Sequence, residues 1–198
     1  GHFKCDGVTS LGVATYSNEE GKTVVDEHKY VDGVCTECHN INLDYCELKD
    51  GAYQIGEPGQ LNWFCQLVAS GKASLNVRLV GDIDFTSYDA VITGVYEGTF
   101  DGNGHTLTVA LDGEEDNIGF FRNLGGSGVI RNLVIDGTVT TEGKNAGGFC
   151  GQSSGLISRC VSRVTISSTH EGDSGHGGFV GLTYNDARFE YCLSAGRF

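Results

Sequence analysis

Cys35-Thr36-Glu37-Cys38 sets two thiols three residues apart, with His28 upstream and Cys5 and His2 farther off. Two thiolates at this spacing on a knuckle can fill two corners of a tetrahedral zinc site, with the remaining ligands coming from elsewhere in the chain. The same residues admit other chemistry. An exported chain meets oxidising conditions, in which a disulfide within or beyond the pair forms. With His39, the string also matches the CxxCH of covalent haem attachment, although nothing nearby reads as a helical haem pocket with a second axial ligand. Redox catalysis through the pair would call for a βαβ context, which the pattern lacks.

Carboxylates supply the second set of candidates. Cleavage of a polysaccharide needs them clustered, either as an acid and base pair or around calcium. Asp82 and Asp84 alternate onto one strand face, but in Gly81-Asp82-Ile83-Asp84-Phe85 they read as turn and solvent residues. Asp101-Gly102-Asn103-Gly104 lacks the further oxygen ligands and the Glu of a calcium loop and reads as a tight turn. His105 reads as a packed strand histidine. No catalytic residues are therefore assigned. The expectation is a non-catalytic module, with a polysaccharide-active lyase or hydrolase using Asp82, Asp84 or Asp101 as the alternative.

The elements that position these residues show as a repeat. Asn117-Ile118-Gly119-Phe120-Phe121, Ala146-Gly147-Gly148-Phe149-Cys150-Gly151 and His176-Gly177-Gly178-Phe179-Val180-Gly181 are each followed by a strand-like run. Those runs are Ile130-Arg131-Asn132-Leu133, Ile157-Ser158-Arg159-Cys160 and Phe189-Glu190-Tyr191-Cys192, at spacings of 27 and 32 residues. Units of this size cannot bury an apolar face alone, so neighbours stack and share a core. The segments are short, Gly-bounded and rich in Val, Ile, Thr and Phe, without a helical stripe. Thirty-one glycines against one proline suit tight corners between hydrogen-bonded coils. The pattern predicts parallel coils over 72–198, with Phe120, Phe149 and Phe179 in one interior file and Leu133, Cys160 and Cys192 in another.

Leu61, Phe64, Cys65 and Val68 fall at i, i+3, i+4 and i+7 after Pro58, with Ser70-Gly71 as a stop. This predicts a helix near 59–70 that caps the open end of the coils. Cys160 and Cys192 are expected as stacked free thiols on adjacent coils, while Cys46 and Cys65 could bridge the capping region.

Asp50-Gly51-Ala52-Tyr53-Gln54-Ile55-Gly56, Gln60-Leu61-Asn62-Trp63-Phe64, Gly81-Asp82-Ile83-Asp84-Phe85 and the run Tyr96–Leu107 occur in the order found in one family. Together with the Gly-Gly-Phe repeats, they make residues 46–198 resemble the right-handed β-helix domains that carry GLUG motifs. The resemblance implies an all-β, right-handed parallel β-helix from a secreted or surface protein of bacteria, acting as a stalk, an adhesin or a binding surface. In this chain Cys150 replaces the usual aliphatic residue of the second copy. The string His28-Lys29-Tyr30-Val31-Asp32-Gly33-Val34-Cys35 resembles small zinc-ribbon-like modules that accompany such proteins. That resemblance implies a structural zinc held by Cys5, His28, Cys35 and Cys38, with His39 standing where the modules have a glycine.

Composition changes near residue 45: three of the eight cysteines and three of the six histidines precede it. Two domains are expected, a Cys/His-rich module over 1–45 and the repeat domain over 46–198. The chain opens in mid-pattern and stops inside a coil, so it reads as an excised fragment. A net charge of -13 disfavours nucleic acid as a partner, and no apolar stretch is long enough for membrane insertion. The expected location is extracellular or the cell surface, and the expected partner an unknown glycan or a host or surface protein. Outward Tyr88, Tyr96, Tyr184 and Arg188 are the residues that could meet it.

Overall fold

In the computed structural model, residues 4–8, 13–17, 23–172, 175–184 and 186–197 are described, with side chains from His28 onward. The chain divides into two compact units, Gly1–Tyr45 and Cys46–Phe198.

In the first unit, Lys4–Val8, Val13–Ser17 and Thr23–Glu27 form an antiparallel sheet in chain order. A tight hairpin, Tyr30–Val31 with Val34–Cys35, follows. Its turn residues Asp32 and Gly33 both have positive φ, 48° and 70°. This Asp-Gly pair is a preferred two-residue connection for right-twisted strands.

The second unit is a parallel β-helix of about five turns with one helix. Three walls run along it. The first stacks Ile92–Tyr96, Phe121–Leu124, Cys150–Ser153 and Val180–Thr183. The second runs through Ala52–Ile55, Val77–Leu79, Thr99–Asp101, Val129–Arg131, Leu156–Ser158 and Arg188–Glu190. The third joins Ile83–Asp84, Thr106–Gly113, Val134–Thr141, the pair Val161–Ser162 and Thr165–Ser168, and Leu193–Ser194. All these pairings are parallel; the antiparallel exception is Leu48–Lys49, which folds back on Ala52–Ile55.

Register turns the sequence repeat into interior files. Val77, Phe100, Ile130, Ile157 and Phe189 pair in succession along the second wall, and the first four are fully or almost fully buried. Each such side chain contributes about 1.5–3 kcal/mol through burial. Phe120, Phe149 and Phe179 share a coil position, since the Phe121 N–H donates to the Phe149 carbonyl and the Phe149 N–H to that of Phe179. The Phe149 and Phe179 rings stack at 5.1 Å, whereas Phe120 packs edge-on against Phe85 and Phe100 at 5.9 and 6.3 Å. Leu133, Cys160 and Cys192 also share a position, the Val161 N–H donating to the Leu133 carbonyl and the Leu193 N–H to that of Cys160. Leu133 and Cys160 are fully buried and Cys192 half-buried.

The Gly-Gly-Phe doublets answer a close approach of backbones: a Cβ on Gly148 would lie 2.5 Å from the Gly178 carbonyl oxygen. At the corner between the second and third walls the chain turns through a left-handed residue. Asn132, Arg159 and Tyr191 stand at equivalent places there, with φ of 52°, 52° and 55°.

The helix spans Pro58–Ala69, with Pro58 at its start and a Glu57–Gln60 capping box. The Gln60 Oε1 accepts from the N–H groups of Gly56 and Glu57 at 2.8 and 3.2 Å. Besides the four predicted positions, Trp63 and Leu67 are buried. Phe64 meets Tyr96 and Phe100 edge-on at 6.1 and 6.5 Å, so the helix closes over the first coils.

Two expectations need correction. The β-helix begins before the helix rather than at residue 72: Ala52–Ile55, entered through the Asp50-Gly51 turn with φ of 51° and 77°, pairs in parallel with Val77–Leu79 across the helix that separates them in the chain. Tyr96 is fully buried rather than outward. The register shifts between Ile92 and Val95, which brings Tyr96 into the interior file with Leu124, and its hydroxyl donates to the Leu75 carbonyl at 2.8 Å.

Left-handed backbone costs an L-residue about 1–2 kcal/mol, and asparagine bears it best among non-glycine residues. Arg159→Asn is therefore expected to stabilise the second unit by up to about 1 kcal/mol, read as an upward shift of its thermal unfolding midpoint.

Candidate functional site

The hairpin that ends at Cys35 delivers the first thiol, and a knuckle delivers the second. The Cys35 N–H donates to the Asn40 carbonyl at 2.8 Å, the Thr36 N–H to that of Lys29 at 3.0 Å, and the His39 N–H to that of Cys35 at 2.9 Å. These bonds fold Cys35–Asn40 into a tight loop beneath His28. The ligand atoms of His28, Cys35 and Cys38 all lie within 4.8 Å of one another. Cys38 Sγ is 3.3 Å from His28 Nδ1. His28 and Cys35 are buried and Cys38 half-buried.

This group can hold a metal ion. Sulfur and imidazole ligands at about 2.3 and 2.0 Å from a tetrahedral zinc stand some 3.5–4 Å apart, the scale seen here. The buried His28 Nε2 has no hydrogen-bond partner, an uncommon condition for a buried ring nitrogen. Burial pushes the Cys35 thiol up, but donation from the Cys38 and Glu37 backbone N–H groups, with the His28 and Cys38 side chains, brings it down from 9.0 to about 6. A sulfur solvated in this way is a thiolate at neutral pH, the state in which it ligates. Bound there, zinc would supply folding free energy to this small unit.

Of the four residues named for zinc, three come together, while the side chain of Cys5 lies outside the described residues. Cys35 and Cys38 are not joined in a disulfide. His39 is exposed and does not join the group. Its φ of 56° is left-handed, the region that favours glycine. The later cysteines are also free, Cys46 and Cys65 included. Burial pushes Cys46 and Cys160 up to about 12, and raises Cys65 and Cys150 as well, so these thiols are inert packing groups.

The three carboxylates do different work. Asp82 is held low by the Thr106 N–H at 2.8 Å and then by His105 Nδ1 at 3.2 Å, so His105 is a partly exposed turn partner rather than a packed strand residue. Asp84 accepts from the Thr86 hydroxyl at 2.7 Å and the Thr86 N–H at 3.1 Å, which lower its pKa. Asp101 is almost fully buried. Burial pushes it up, but Asn132 Nδ2 at 3.0 Å, the Asn103 N–H at 2.9 Å and Arg131 at 3.1 Å hold it below the usual carboxylate range. A general acid for glycoside cleavage needs the opposite shift.

The Asp101–Arg131 pair was not visible in the sequence, where 30 residues separate the two. Register alone joins them: Arg78, Asp101, Arg131, Ser158 and Glu190 occupy one file along the second wall. Of the outward candidates, Tyr184 and Arg188 are exposed and Tyr88 lies half-buried, stacked on Phe85 at 4.8 Å.

Protein purified without chelator is expected to carry about one zinc per chain by elemental analysis and to lose it in Cys38→Ser. Retention against a fixed chelator should weaken as the pH falls from 9.0 through about 6, where Cys35 takes up a proton. Asp101→Asn should cost about 1–3 kcal/mol, because Arg131 and Asn132 lose a charged acceptor. The contribution of Asp101 is present above its ordinary value of 3.8 and is lost as the pH falls below it, which urea titrations at neutral and acid pH would show.

No family model matches the chain, and no solved structure matches it. Among known proteins, halomucin of Haloquadratum walsbyi is 33% identical over 94 residues, 46% of this chain. The chain spans about 1% of the length of that relative. The chain is thus a β-solenoid with a distant likeness to a short stretch of halomucin.

Proposed function

We propose that the chain is a non-catalytic repeat module of an extracellular or cell-surface protein, acting in adhesion or ligand binding or as a structural stalk. The observation that carries this reading is how the polar residues are spent. Asp82 and Asp84 cap turns, and Asp101 is tied to Arg131 and Asn132, each held as an anion by neighbouring donors. Glycines make the corners, and Phe and Cys fill the coils.

The likeness to halomucin, whose name places it among mucins, supports a surface setting. The resemblance of residues 46–198 to GLUG-motif domains points the same way. On this reading His28, Cys35 and Cys38, with Cys5 as the fourth ligand, hold a structural zinc in the small unit. The partner is a glycan or a surface protein, not nucleic acid, because a chain of net charge -13 repels a phosphate backbone.

Incubated with a panel of polysaccharides, the purified protein is expected to release no new reducing ends and no unsaturated products. Turnover that Asp84→Asn abolishes would replace this reading with that of a polysaccharide-active enzyme.

A further inference from the structure

The strongest unassigned feature is a concavity of about 440 Å³ on the outer side of the second wall, within the range of ligand sites. Its floor is the file Gln54, Arg78, Asp101 and Arg131, four neighbouring strands deep, and Lys49 and Asp50 of the Leu48–Ile55 hairpin stand at its edge. Three of the chain's thirteen Lys and Arg residues thus line one recess of a protein with net charge -13.

The charges are arranged rather than scattered. Arg78 and Arg131 flank Asp101 on the two adjacent strands, so their backbones lie about 9.6 Å apart. The Asp101 carboxylate takes Nε and Nη2 of Arg131, which fixes that guanidinium against the floor while leaving donors at Nη1. Arg78 gives Nη2 to Asn103 Oδ1 at 2.7 Å and is likewise held with donors to spare. Asp101 is almost fully buried beneath these contacts, so the charged surface offered to solvent is that of the two arginines, with exposed Lys49 and Asp50 at the edge. A second concavity of about 600 Å³ has the opposite character. It is lined by Asp89, Asp112, Glu114 and Glu115, and its one cation, Arg122, is paired with Glu115 at 2.9 Å.

We infer that the recess over Arg78 and Arg131 binds a saccharide that carries carboxylates, one carboxylate on each fixed guanidinium. A planar fork of donors matches a carboxylate in two parallel hydrogen bonds, which an ammonium group cannot do. The lining is more polar than apolar and includes Thr99 and Gln54, which suits hydroxyl groups better than an apolar ligand. This inference rests on the reading of the chain as a ligand-binding module and gives that reading a site and a ligand class.

Alginate oligosaccharides, with one carboxylate on every ring, are the probe, and calorimetry with the whole chain is the measurement. Binding is expected to weaken as salt is raised, because the pair is screened. Arg78→Gln and Arg131→Gln should each weaken it by about tenfold or more, the loss expected for a charged hydrogen bond. Arg78→Gln leaves the Asp101 pair intact, so its effect does not depend on the fold, and thermal unfolding of both variants checks this. Dextran should not bind, and dextran sulfate should bind more weakly than alginate. No binding of alginate, or equal binding of dextran sulfate, overturns the inference and leaves a stalk or protein-binding role standing. Alginate binding that both variants retain overturns the site while upholding the module as a binder.

Discussion

Parallel register is the constraint on which the rest of the second unit depends. Once the Ile130 run lies on the Ile157 run, every position of one coil is set against its counterpart in the next, and the walls become files of like residues. The interior then needs no separate specification. Apolar residues at one place in each repeat bury one another, and the backbone hydrogen bonds hold the spacing that makes the burial effective. Corners follow from the same rule: a left-handed residue recurs at Asn132, Arg159 and Tyr191 because the turn recurs. Only one of the three has a side chain that suits the conformation and also serves a neighbour, through the bond from Asn132 to Asp101.

The outer surface inherits this order. Arg78, Asp101 and Arg131 come from three different coils, yet they stand side by side as though on one strand. A solenoid therefore writes a surface across the chain rather than along it. Short stretches of sequence carry one character each, and the recess reads only down the file.

This decides what was legible beforehand. The repeated Gly-Phe and Ile-x-x-Leu/Cys patterns put the same residue types at the same place in each copy, so the coil architecture and both interior files could be read from them. The helix was legible from Leu61, Phe64, Cys65 and Val68, and the metal candidates from a four-residue motif. Asp101 looked like a turn residue because its partner lies 30 residues away and nothing in the string Asp-Gly-Asn-Gly announces burial. Tyr96 looked outward because a register shift inside its strand changes which side chains point in, and one residue of slip reverses a face. The early strand Ala52–Ile55 was hidden by the helix that interrupts its path to Val77.

Two of the interior files taper. Along the third wall Ile83, Leu107 and Ile135 give way to Ser162 and Ser194, and along the first wall Tyr96 and Leu124 give way to Ser153 and Thr183. The largest ring cluster lies at the other end, where Phe64, Tyr96, Phe100, Phe120 and Phe121 touch, while Phe149, Phe179 and Phe189 continue as a smaller column through the later coils. Cohesion along these two files consequently falls from the helix-capped end onward. In a stack whose members hold only their neighbours, such a gradient gives opening a direction, from the serine-lined coils toward the aromatic ones. A load applied along the chain would be released in steps, with the ring-filled coils as the last latch.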